Sequence, residues 1–210
     1  MITILNGFVV FEGIDGSGTT TQLKILEDRL KDSSVWFTCE PTDRAVGKLL
    51  RQALKGECRL QEETMARLFA ADRCEHLVAP DGIIKRCSSG HTVFCDRYLF
   101  SSLAYQGKPE IRQQVAALNA GFPLPEYLFF FDIKADVAMK RVDTRGGTKE
   151  IYETTEFQRD VSERYKQILE DYSIRAPGMK IIIIDASLPV ETIAEKIWSI
   201  AGNLPKNKAG

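Results

Sequence analysis

The stretch FEGIDGSGTTTQ, residues 11–22, constrains the fold of this chain most, because a glycine-rich turn there follows a short apolar run. A phosphate-binding loop has the pattern G-x-x-x-x-G-K-[ST] between a strand and a helix. Gly13, Gly18 and Thr20 satisfy that pattern, but Thr19 stands at the lysine position. Glycines let backbone N–H groups turn around a phosphate, and the helix N-terminus adds partial positive charge. The stretch predicts a phosphate site lacking one cation, with a purely structural turn as the alternative.

Five short apolar segments, rich in Val, Ile and Phe, have the length and composition of strands buried on both faces. They are Phe8–Phe11, Val35–Thr38, Thr92–Cys95, Leu128–Phe131 and Ile181–Ile184. Helical spacing of apolar residues lies between and after them, at Thr20–Lys31, Gln61–Cys87, Glu110–Ala120, Glu156–Tyr172 and Val190–Ile200. The second of these stretches is expected to bend or break near Pro80. The alternation predicts an α/β fold of three layers, a five-stranded parallel sheet flanked by helices.

Length and charge narrow the class of protein. The 210 residues suit one domain, which we expect over residues 1–203, followed by a flexible polar tail at 204–210. A net charge of −1 argues against binding nucleic acid through bulk electrostatics. Five cysteines without C-x-x-C spacing argue against zinc and favour reduced thiols. Without signal-peptide features or a membrane-spanning apolar run, the sequence predicts a cytoplasmic protein that binds no membrane.

Two segments after the first predicted helix carry candidate nucleotide contacts. CEPTD, residues 39–43, follows the second strand, where ligand loops of open α/β sheets gather, though it is also an ordinary turn sequence. In RLFAADR, Phe69 and Arg73 are four residues apart and share one helical face. An aromatic ring beside a guanidinium can stack on and hydrogen-bond a nucleobase. A core phenylalanine beside a solvated arginine is the alternative.

Two later segments carry charges suited to phosphate. At the end of the third strand, Asp96 and Arg97 place a carboxylate for Mg²⁺ beside a fork-shaped cation for phosphate, or they form a structural ion pair. KRVDTRGGTK, residues 140–149, is basic and contains glycines between two helices. It predicts a mobile lid, approximately residues 141–153, that closes on phosphates and excludes water. A solvated helix end with a flexible connection is the alternative.

Taken together, these segments resemble the thymidylate kinase family, within the P-loop nucleoside monophosphate kinases. The motifs that carry the resemblance are FEGIDGSG, EPTD followed by GKLLR, FAADR, DRYLFSSLAYQG and IIIIDAS, in this order. The resemblance implies a P-loop NTPase-type fold with a lid, and a kinase that phosphorylates dTMP to dTDP for dTTP biosynthesis. It implies ATP and Mg²⁺ as cofactors and a homodimer as the assembly. Catalysis of this type is mainly alignment and charge neutralisation of an in-line transfer.

The resemblance also implies roles for individual residues. Asp15 would contact the 3′-hydroxyl of the acceptor sugar, Phe69 would stack on thymine, and Arg73 would hydrogen-bond it. The implied ATP contacts are the phosphate loop and the loop beside the adenine: Gly13, Asp15, Gly16, Ser17, Gly18, Thr19, Thr20, Thr21, Ala186 and Ser187. The implied dTMP contacts are Asp15, Arg44, Arg51, Phe69, Arg73, Arg97, Ser101, Ser102, Tyr105 and Gln106. The implied catalytic residues are Asp15, Arg97 and Arg145, with Arg141 as the alternative to Arg145, and the implied Mg²⁺ residues, binding directly or through water, are Thr20 and Asp96.

Two departures from the family pattern remove positive charge from the expected phosphate site. Thr19 replaces the loop lysine, and Ile151 stands where relatives often carry a basic residue. The cations that remain to compensate are Arg97, Arg141, Arg145 and Lys149. Loss of one such contact costs about 2–4 kcal/mol of transition-state stabilisation. Two alternatives therefore stay open: a nucleotide-binding homologue with weak or no kinase activity, and a kinase for another deoxynucleoside monophosphate.

Overall fold

The sheet lies at the centre of the molecule. The computed structural model describes residues 2–30, 34–145, 151–202 and 204, with residue 145 described by its backbone. In these residues five parallel strands form one sheet: β1 (Ile4–Gly13), β2 (Val35–Cys39), β3 (Thr92–Asp96), β4 (Leu124–Asp132) and β5 (Lys180–Asp185). Their order across the sheet is β2-β3-β1-β4-β5. The five predicted strands are confirmed, and each extends beyond its predicted apolar segment.

β1 occupies the middle of the sheet because its apolar residues are covered on both faces. Residues 8–11 are completely buried. Phe11 pairs in register with Asp96 of β3 on one side and with Phe129 of β4 on the other. The chain order reverses across β1, and open α/β sheets bind ligands at the carboxyl ends of their strands at such a point. The glycine-rich stretch leaves the sheet at this place.

Helices flank the sheet. They are α1 (Thr19–Arg29), α2 (Ala45–Leu54), α3 (Glu62–Val78), α4 (Ile83–Ser88), α5 (Leu99–Tyr105), α6 (Arg112–Asn119), α7 (Ala135–Arg145), α8 (Thr155–Arg175) and α9 (Val190–Ala201). Helices α1, α4 and α5 contact β1, while α8 packs on α5 and α9 packs on α1. In the described parts of the chain, no helix combines the length and the apolar character needed to cross a bilayer.

The predicted break in the long helical stretch is confirmed between α3 and α4. The chain turns there, with the N–H of Gly82 donating to the carbonyl of Ala79 at 2.8 Å. Three helices, α2, α5 and α7, lie outside the predicted helical stretches, although a helix was expected before the basic segment 140–149. α5 has only 7 residues, too few to display a helical period, and it carries two adjacent serines. Its existence depends on contacts from elsewhere in the chain.

Two predicted features differ from the structure. Lys140–Arg145, expected as the start of a mobile lid, form the last turns of α7, and residues 146–150 lie outside the described residues. Leu204, expected to begin a flexible tail, is only 7% exposed and packs into the main hydrophobic core. Burying a leucine side chain is favourable by about 1.5–3 kcal/mol, which accounts for its inward position. The rest of the predicted tail, residues 205–210, is outside the described part of the chain.

Candidate functional site

A cavity of about 690 Å³ opens beside the carboxyl ends of the central strands. Residues of the phosphate loop and of α1, α2, α3, α5, α7 and α9 line it, together with the segment before α8. The predicted site residues among the lining are Asp15, Gly16, Ser17, Gly18, Thr19, Thr20, Thr21, Arg51, Phe69, Arg73, Asp96, Arg97, Ser101, Ser102, Tyr105, Gln106 and Arg141. Residues from distant parts of the sequence therefore share one cavity.

The loop between β1 and α1 depends on two glycines in the left-handed region. Gly16 has a φ of 79° and Gly18 a φ of 98°, values that side chains with a Cβ rarely adopt. A Cβ on Gly16 would lie 2.3 Å from the carbonyl oxygen of Ala138, so the loop packs directly on the backbone of α7. Gly18 is the N-cap of α1 and offers no side-chain cap. The first N–H groups of the helix are therefore left for an anion.

Thr20 and Asp96, the two predicted metal residues, are in direct contact. The Thr20 hydroxyl donates a hydrogen bond of 2.6 Å to Oδ2 of Asp96, while Oδ1 of Asp96 is buried without a hydrogen-bond partner. Such oxygens suit Mg²⁺, which proteins commonly hold through one or two carboxylates plus substrate phosphates. In the described residues, His, Cys, Asp and Glu form no cluster of three or more that could hold a metal ion. A metal here would need further ligands from substrate or water.

Asp15, in the phosphate loop, is held from two sides. Nη2 of Arg97 donates to its Oδ1 at 2.7 Å, and Nε2 of Gln158 donates to its Oδ2 at 2.7 Å. The backbone N–H of Asp15 donates to Oε1 of the same glutamine at 3.2 Å. The carboxylate is therefore fixed in orientation at the junction of the loop, β3 and α8.

Arg97, which holds this carboxylate, has an unusual backbone conformation. Its φ is 70°, in the left-handed region where a non-glycine residue is uncommon and often functional. The guanidinium also donates to the carbonyl of Gly13 and to the hydroxyl of Tyr105, and it lies 5.2 Å from the centre of the Tyr105 ring. Burial opposes its charge, but Tyr105 and Asp15 hold the pKa of Arg97 well above its ordinary value. A permanent cation therefore sits below the phosphate loop.

Glu12, directly before the loop, is a completely buried carboxylate that sequence analysis did not single out. Its Oε1 accepts from the backbone N–H groups of Tyr98 and Ser101 at 2.8 and 3.1 Å, which caps the start of α5. Its Oε2 accepts from the hydroxyls of Ser101 and Tyr165 at 2.6 and 2.8 Å. Burial raises the pKa of Glu12 to about 7, with Arg97 and the hydrogen bonds limiting the rise. This carboxylate ties β1 to helix α5, which contributes Ser101, Ser102 and Tyr105 to the lining of the cavity.

Arg73, on α3, is a lining residue of the cavity whose guanidinium is held by several contacts. Its Nη2 forms an ion pair with Glu40 at 2.8 Å and donates to the Ser102 hydroxyl at 3.1 Å, while its Nη1 donates to the side-chain oxygen of Asn119. Glu40 in turn contacts Nδ1 of His76 at 3.1 Å. Nε of Arg73 is buried and has no hydrogen-bond partner. Three contacts thus position the guanidinium, while its buried Nε–H has no partner in the described protein.

Gln106 follows Ser102, a partner of Arg73, by one turn, and its whole side-chain amide is unpartnered. The residue is 4% exposed, lines the cavity, and neither its Nε2 nor its Oε1 has a hydrogen-bond partner. Buried amides are almost always hydrogen-bonded, because leaving one unpaired costs about 1–3 kcal/mol. Phe69 lines the same region with an apolar ring. An aromatic surface beside unpaired donors and acceptors is suited to a nucleobase.

Another part of the cavity lining comes from α7 and from the residues after β5. Nη2 of Arg141 donates to the carbonyl of Ala186 at 3.0 Å, and the apolar residues Leu188 and Val190 line the wall. Ala186 is buried, and the Ser187 hydroxyl bonds to Asp185. Neither Ala186 nor Ser187 lines the cavity, although Ala186 accepts a hydrogen bond from the lining residue Arg141.

Two other predicted residues, Arg44 and Gly13, are not among the described lining residues of the cavity. Arg44 points to the surface and pairs with Asp81 at 2.5 Å and Glu75 at 3.4 Å, because it precedes α2 on the side facing the α3–α4 turn. Gly13 contributes its carbonyl to Arg97. The side chain of Arg145 lies outside the described residues, as does Lys149.

The charge around the cavity reflects the missing loop lysine. Thr19 is 5% exposed at the first residue of α1. Among the described lining residues the cations are Arg51, Arg73, Arg97 and Arg141, and the carboxylates are Asp15, Glu40, Asp96 and Glu153. No described lining residue is a lysine. Positive charge for a phosphate at this site comes from arginines and from helix α1.

Gln158, Glu40 and Asn119 are the main site residues that sequence reasoning missed. One signal for Gln158 was present: it falls on the face of α8 that otherwise buries Val161 and Tyr165. A buried amide on an apolar helix face is costly unless it is hydrogen-bonded. Glu40 lies in the CEPTD segment, which the sequence pointed to only as a whole, and Asn119 carries no comparable signal, since its partner Arg73 lies on another element.

Known proteins are similar to this chain over almost its whole length. The family model described as thymidylate kinase matches residues 11–197. A protein of Treponema pallidum (strain Nichols) that bears the thymidylate kinase name is 42% identical over 197 residues, covering 93% of this chain and 95% of its own. One from Methanocaldococcus jannaschii is 35% identical over 201 residues, covering 95% and 98%. The solved structure of thymidylate kinase from Candida albicans aligns with a TM-score of 0.76 at 25% identity, covering 94% of this chain and 91% of that one.

Proposed function

The chain belongs to the thymidylate kinase family of nucleoside monophosphate kinases, and we propose that it transfers the γ-phosphoryl group of ATP to dTMP. The products are ADP and dTDP, which places the reaction in dTTP biosynthesis. One observation carries the choice of acceptor: Phe69, the free Nε of Arg73 and the unpaired amide of Gln106 line the same cavity. Phe69 and Arg73 are one turn apart on α3, and both Arg73 and the backbone N–H of Gln106 contact Ser102. These groups match a base that presents a flat face, a carbonyl and an imide.

The donor ATP would occupy the phosphate loop. Its phosphates would meet the N–H groups of the loop and the N-terminus of α1, with Gly16 and Gly18 allowing the close approach. Its adenine would lie at the wall that contains Leu188 and Val190, where Arg141 is anchored to Ala186. The acceptor would then face the donor across Asp15 and Arg97.

In this arrangement the protein aligns the two substrates and neutralises charge. A 5′-phosphate oxygen of dTMP attacks the γ-phosphorus of ATP, a new P–O bond forms, and the bond to the β–γ bridging oxygen breaks, so that ADP leaves with the electron pair. Arg97 supplies positive charge at the acceptor phosphate and Asp15 accepts a hydrogen bond from the acceptor sugar. Phosphoryl transfer needs little covalent participation from the protein, which agrees with a site without a nucleophile–base pair.

The residues present fit Mg²⁺. The unpartnered Oδ1 of Asp96 and the hydroxyl of Thr20 are hard oxygen ligands beside the phosphate loop. When bound, Mg²⁺ would neutralise phosphate charge and orient the phosphates. Asp96 and Thr20 would hold the ion, directly or through water, and the hydrogen bond between them keeps both side chains at this edge of the sheet.

A coupled ADP-release assay across acceptors tests the proposal. With ATP and Mg²⁺, we expect dTMP to give the highest kcat/KM among dTMP, dUMP, dCMP and dGMP. The Candida albicans enzyme is described as having broad substrate specificity, so the four acceptors are measured as full kinetic curves. No ADP formation above background with any acceptor would favour a nucleotide-binding homologue. A higher kcat/KM for a purine would favour the other acceptor class.

We further propose a homodimer in the cytoplasm. The family resemblance supports the dimer, and light scattering or analytical ultracentrifugation of the full chain tests it, with a monomer mass as the contrary result. All five cysteines are free thiols, which agrees with a reducing compartment. Fractionation of cells that produce the protein tests this location.

A further inference from the structure

The side chain of Gln158 uses all of its hydrogen-bonding groups inside the site. It is completely buried on α8. Its Nε2 donates to Oδ2 of Asp15 at 2.7 Å and to the carbonyl of Tyr152 at 3.0 Å. Its Oε1 accepts from the N–H of Asp15 at 3.2 Å and from the hydroxyl of Tyr105 at 3.3 Å. A glutamine amide has two donor hydrogens and two acceptor lone pairs, so its capacity is filled.

This glutamine restrains the orientation of the Asp15 carboxylate. Arg97 holds Oδ1 of the carboxylate and Gln158 holds Oδ2. A second arginine or lysine in place of the amide would add charge and tighten the ion pairing. The neutral amide instead fixes the second oxygen and leaves it one lone pair for another donor. Without Gln158, the carboxylate could rotate toward a bidentate pair with Arg97, a favoured geometry.

The same amide also holds the segment that follows residues 146–150. Besides the bond from Gln158 to Tyr152, the N–H of Ile151 donates to the carbonyl of Leu54 at the end of α2 at 3.0 Å. The ring of Tyr152 stacks on Phe157 at 4.9 Å between centroids. The segment is therefore attached to α2 on one side and, through Gln158, to the phosphate loop on the other.

We propose that Gln158 is a positioning residue that orients Asp15 and thereby sets discrimination at the 3′-position of the acceptor sugar. This inference rests on the proposed function, in which Asp15 accepts a hydrogen bond from that sugar. Gln158 itself touches neither substrate in this scheme. It acts by keeping Oδ2 of Asp15 turned away from Arg97 and available to the 3′-hydroxyl.

The test compares kcat/KM for dTMP with kcat/KM for 3′-deoxythymidine monophosphate, which lacks only that hydroxyl. A hydrogen bond to a charged group contributes enough for the unaltered chain to prefer dTMP about tenfold or more. In Gln158→Leu and in Gln158→Met, which retains an unbranched side chain of similar volume, we expect this preference to fall to about twofold. The control Gln167→Leu changes an exposed glutamine of the same helix and should keep the full preference.

Asp15→Asn provides the reference for lost discrimination, and the double variant with Gln158→Met should show no further loss. A merely structural role for Gln158 would lower kcat/KM for both acceptors equally, and an unchanged ratio in a folded variant overturns the inference. So does an unaltered chain that shows no preference for the 3′-hydroxyl. Failure of the proposed function looks different, because the unaltered chain would then phosphorylate neither acceptor.

Discussion

The hydroxyl of Thr20 donates a 2.6 Å hydrogen bond to Oδ2 of Asp96, which joins the first turn of α1 to the carboxyl end of β3. The two residues are far apart in sequence and adjacent only because β3 lies next to β1 in the sheet. The contact leaves Oδ1 of Asp96 buried and unpartnered beside the phosphate loop. A carboxylate in this state is prepared for a cation that arrives with substrate phosphates.

Asp96→Asn should reduce kcat by about 10²–10³-fold and raise the Mg²⁺ concentration needed for half-maximal rate. The reason is the loss of one full negative charge at a contact worth about 3–4 kcal/mol. Initial rates over a magnesium titration at saturating ATP and dTMP measure both effects. Asp160→Asn, on the exposed surface of α8, is the matched control and should behave as the unaltered protein. Equal magnesium dependence in the two variants would remove Asp96 from the metal site.

Thr19→Lys should lower the KM for ATP by about tenfold. Thr19 begins α1 at the lysine position of the loop, and the described lining residues include no lysine. A lysine there would replace a neutral hydrogen bond with a charge-assisted one, and about 1.4 kcal/mol is a factor of ten. The KM for dTMP should change less than twofold. A drop in kcat without tighter ATP binding would mean that the site is arranged around the threonine.

Arg145→Ala should lower kcat at least tenfold while changing the KM for dTMP less than threefold, because its charge would replace the missing loop lysine. Arg141→Ala should mainly raise the KM for ATP, since Arg141 is anchored to the carbonyl of Ala186 at the donor end. Steady-state curves for both substrates separate these patterns. The reverse pattern would assign the charge at the transferring phosphoryl to Arg141.

Gln106→Leu should raise the KM for dTMP about tenfold and leave the KM for ATP unchanged. The leucine keeps the side-chain volume but removes the buried amide that has no partner in the protein. A ligand that satisfies this amide gains about 1–3 kcal/mol. Increased stability of the folded protein is also expected, because the unpaired polar group is gone. Unchanged dTMP binding together with higher stability would make Gln106 a structural defect and not a ligand contact.

Glu12 should make folding stability fall as the pH rises. Its pKa is about 7 in the folded protein against an ordinary value of 4.5, so the folded chain binds the proton more tightly. The stabilisation is complete below about pH 4.5 and is lost as the pH rises through about 7. Between pH 5 and pH 8 this group alone changes the free energy of unfolding by about 2–3 kcal/mol.

Glu12→Gln removes this titration and keeps a side-chain oxygen that accepts from the backbone N–H groups of Tyr98 and Ser101 at the start of α5. When the pH is raised from 5 to 8, the variant should therefore gain about 2–3 kcal/mol of unfolding free energy relative to the unaltered chain. Urea unfolding at the two pH values measures it. Glu57→Gln, on an exposed loop, should show no such shift. A constant difference would show that Glu12 is ionised throughout this range.

The parts of the fold that sequence predicted are those governed by local pattern. The five strands, the first helix, the break between α3 and α4, and α8 and α9 follow from apolar runs, helical period and a proline. Helix α5 could not be found this way, because its first turn is capped by Glu12, which lies far away in the sequence on strand β1. Likewise, α7 continues through the segment expected to be a loop, because its apolar residues Met139 and Val142 are buried against the rest of the molecule.

The amino-acid sequence by itself determined the phosphate loop, the alternation of strands and helices, and the identity of the groups that carry charge. These properties depend on residue type and short-range spacing. Only the tertiary structure decided which of those groups act together. Strand order brought Thr20 to Asp96, and helix packing brought Gln158 to Asp15 across more than half of the chain. Such contacts join residues that no sequence period relates, because the position of each side chain is set by the element that its own segment packs against.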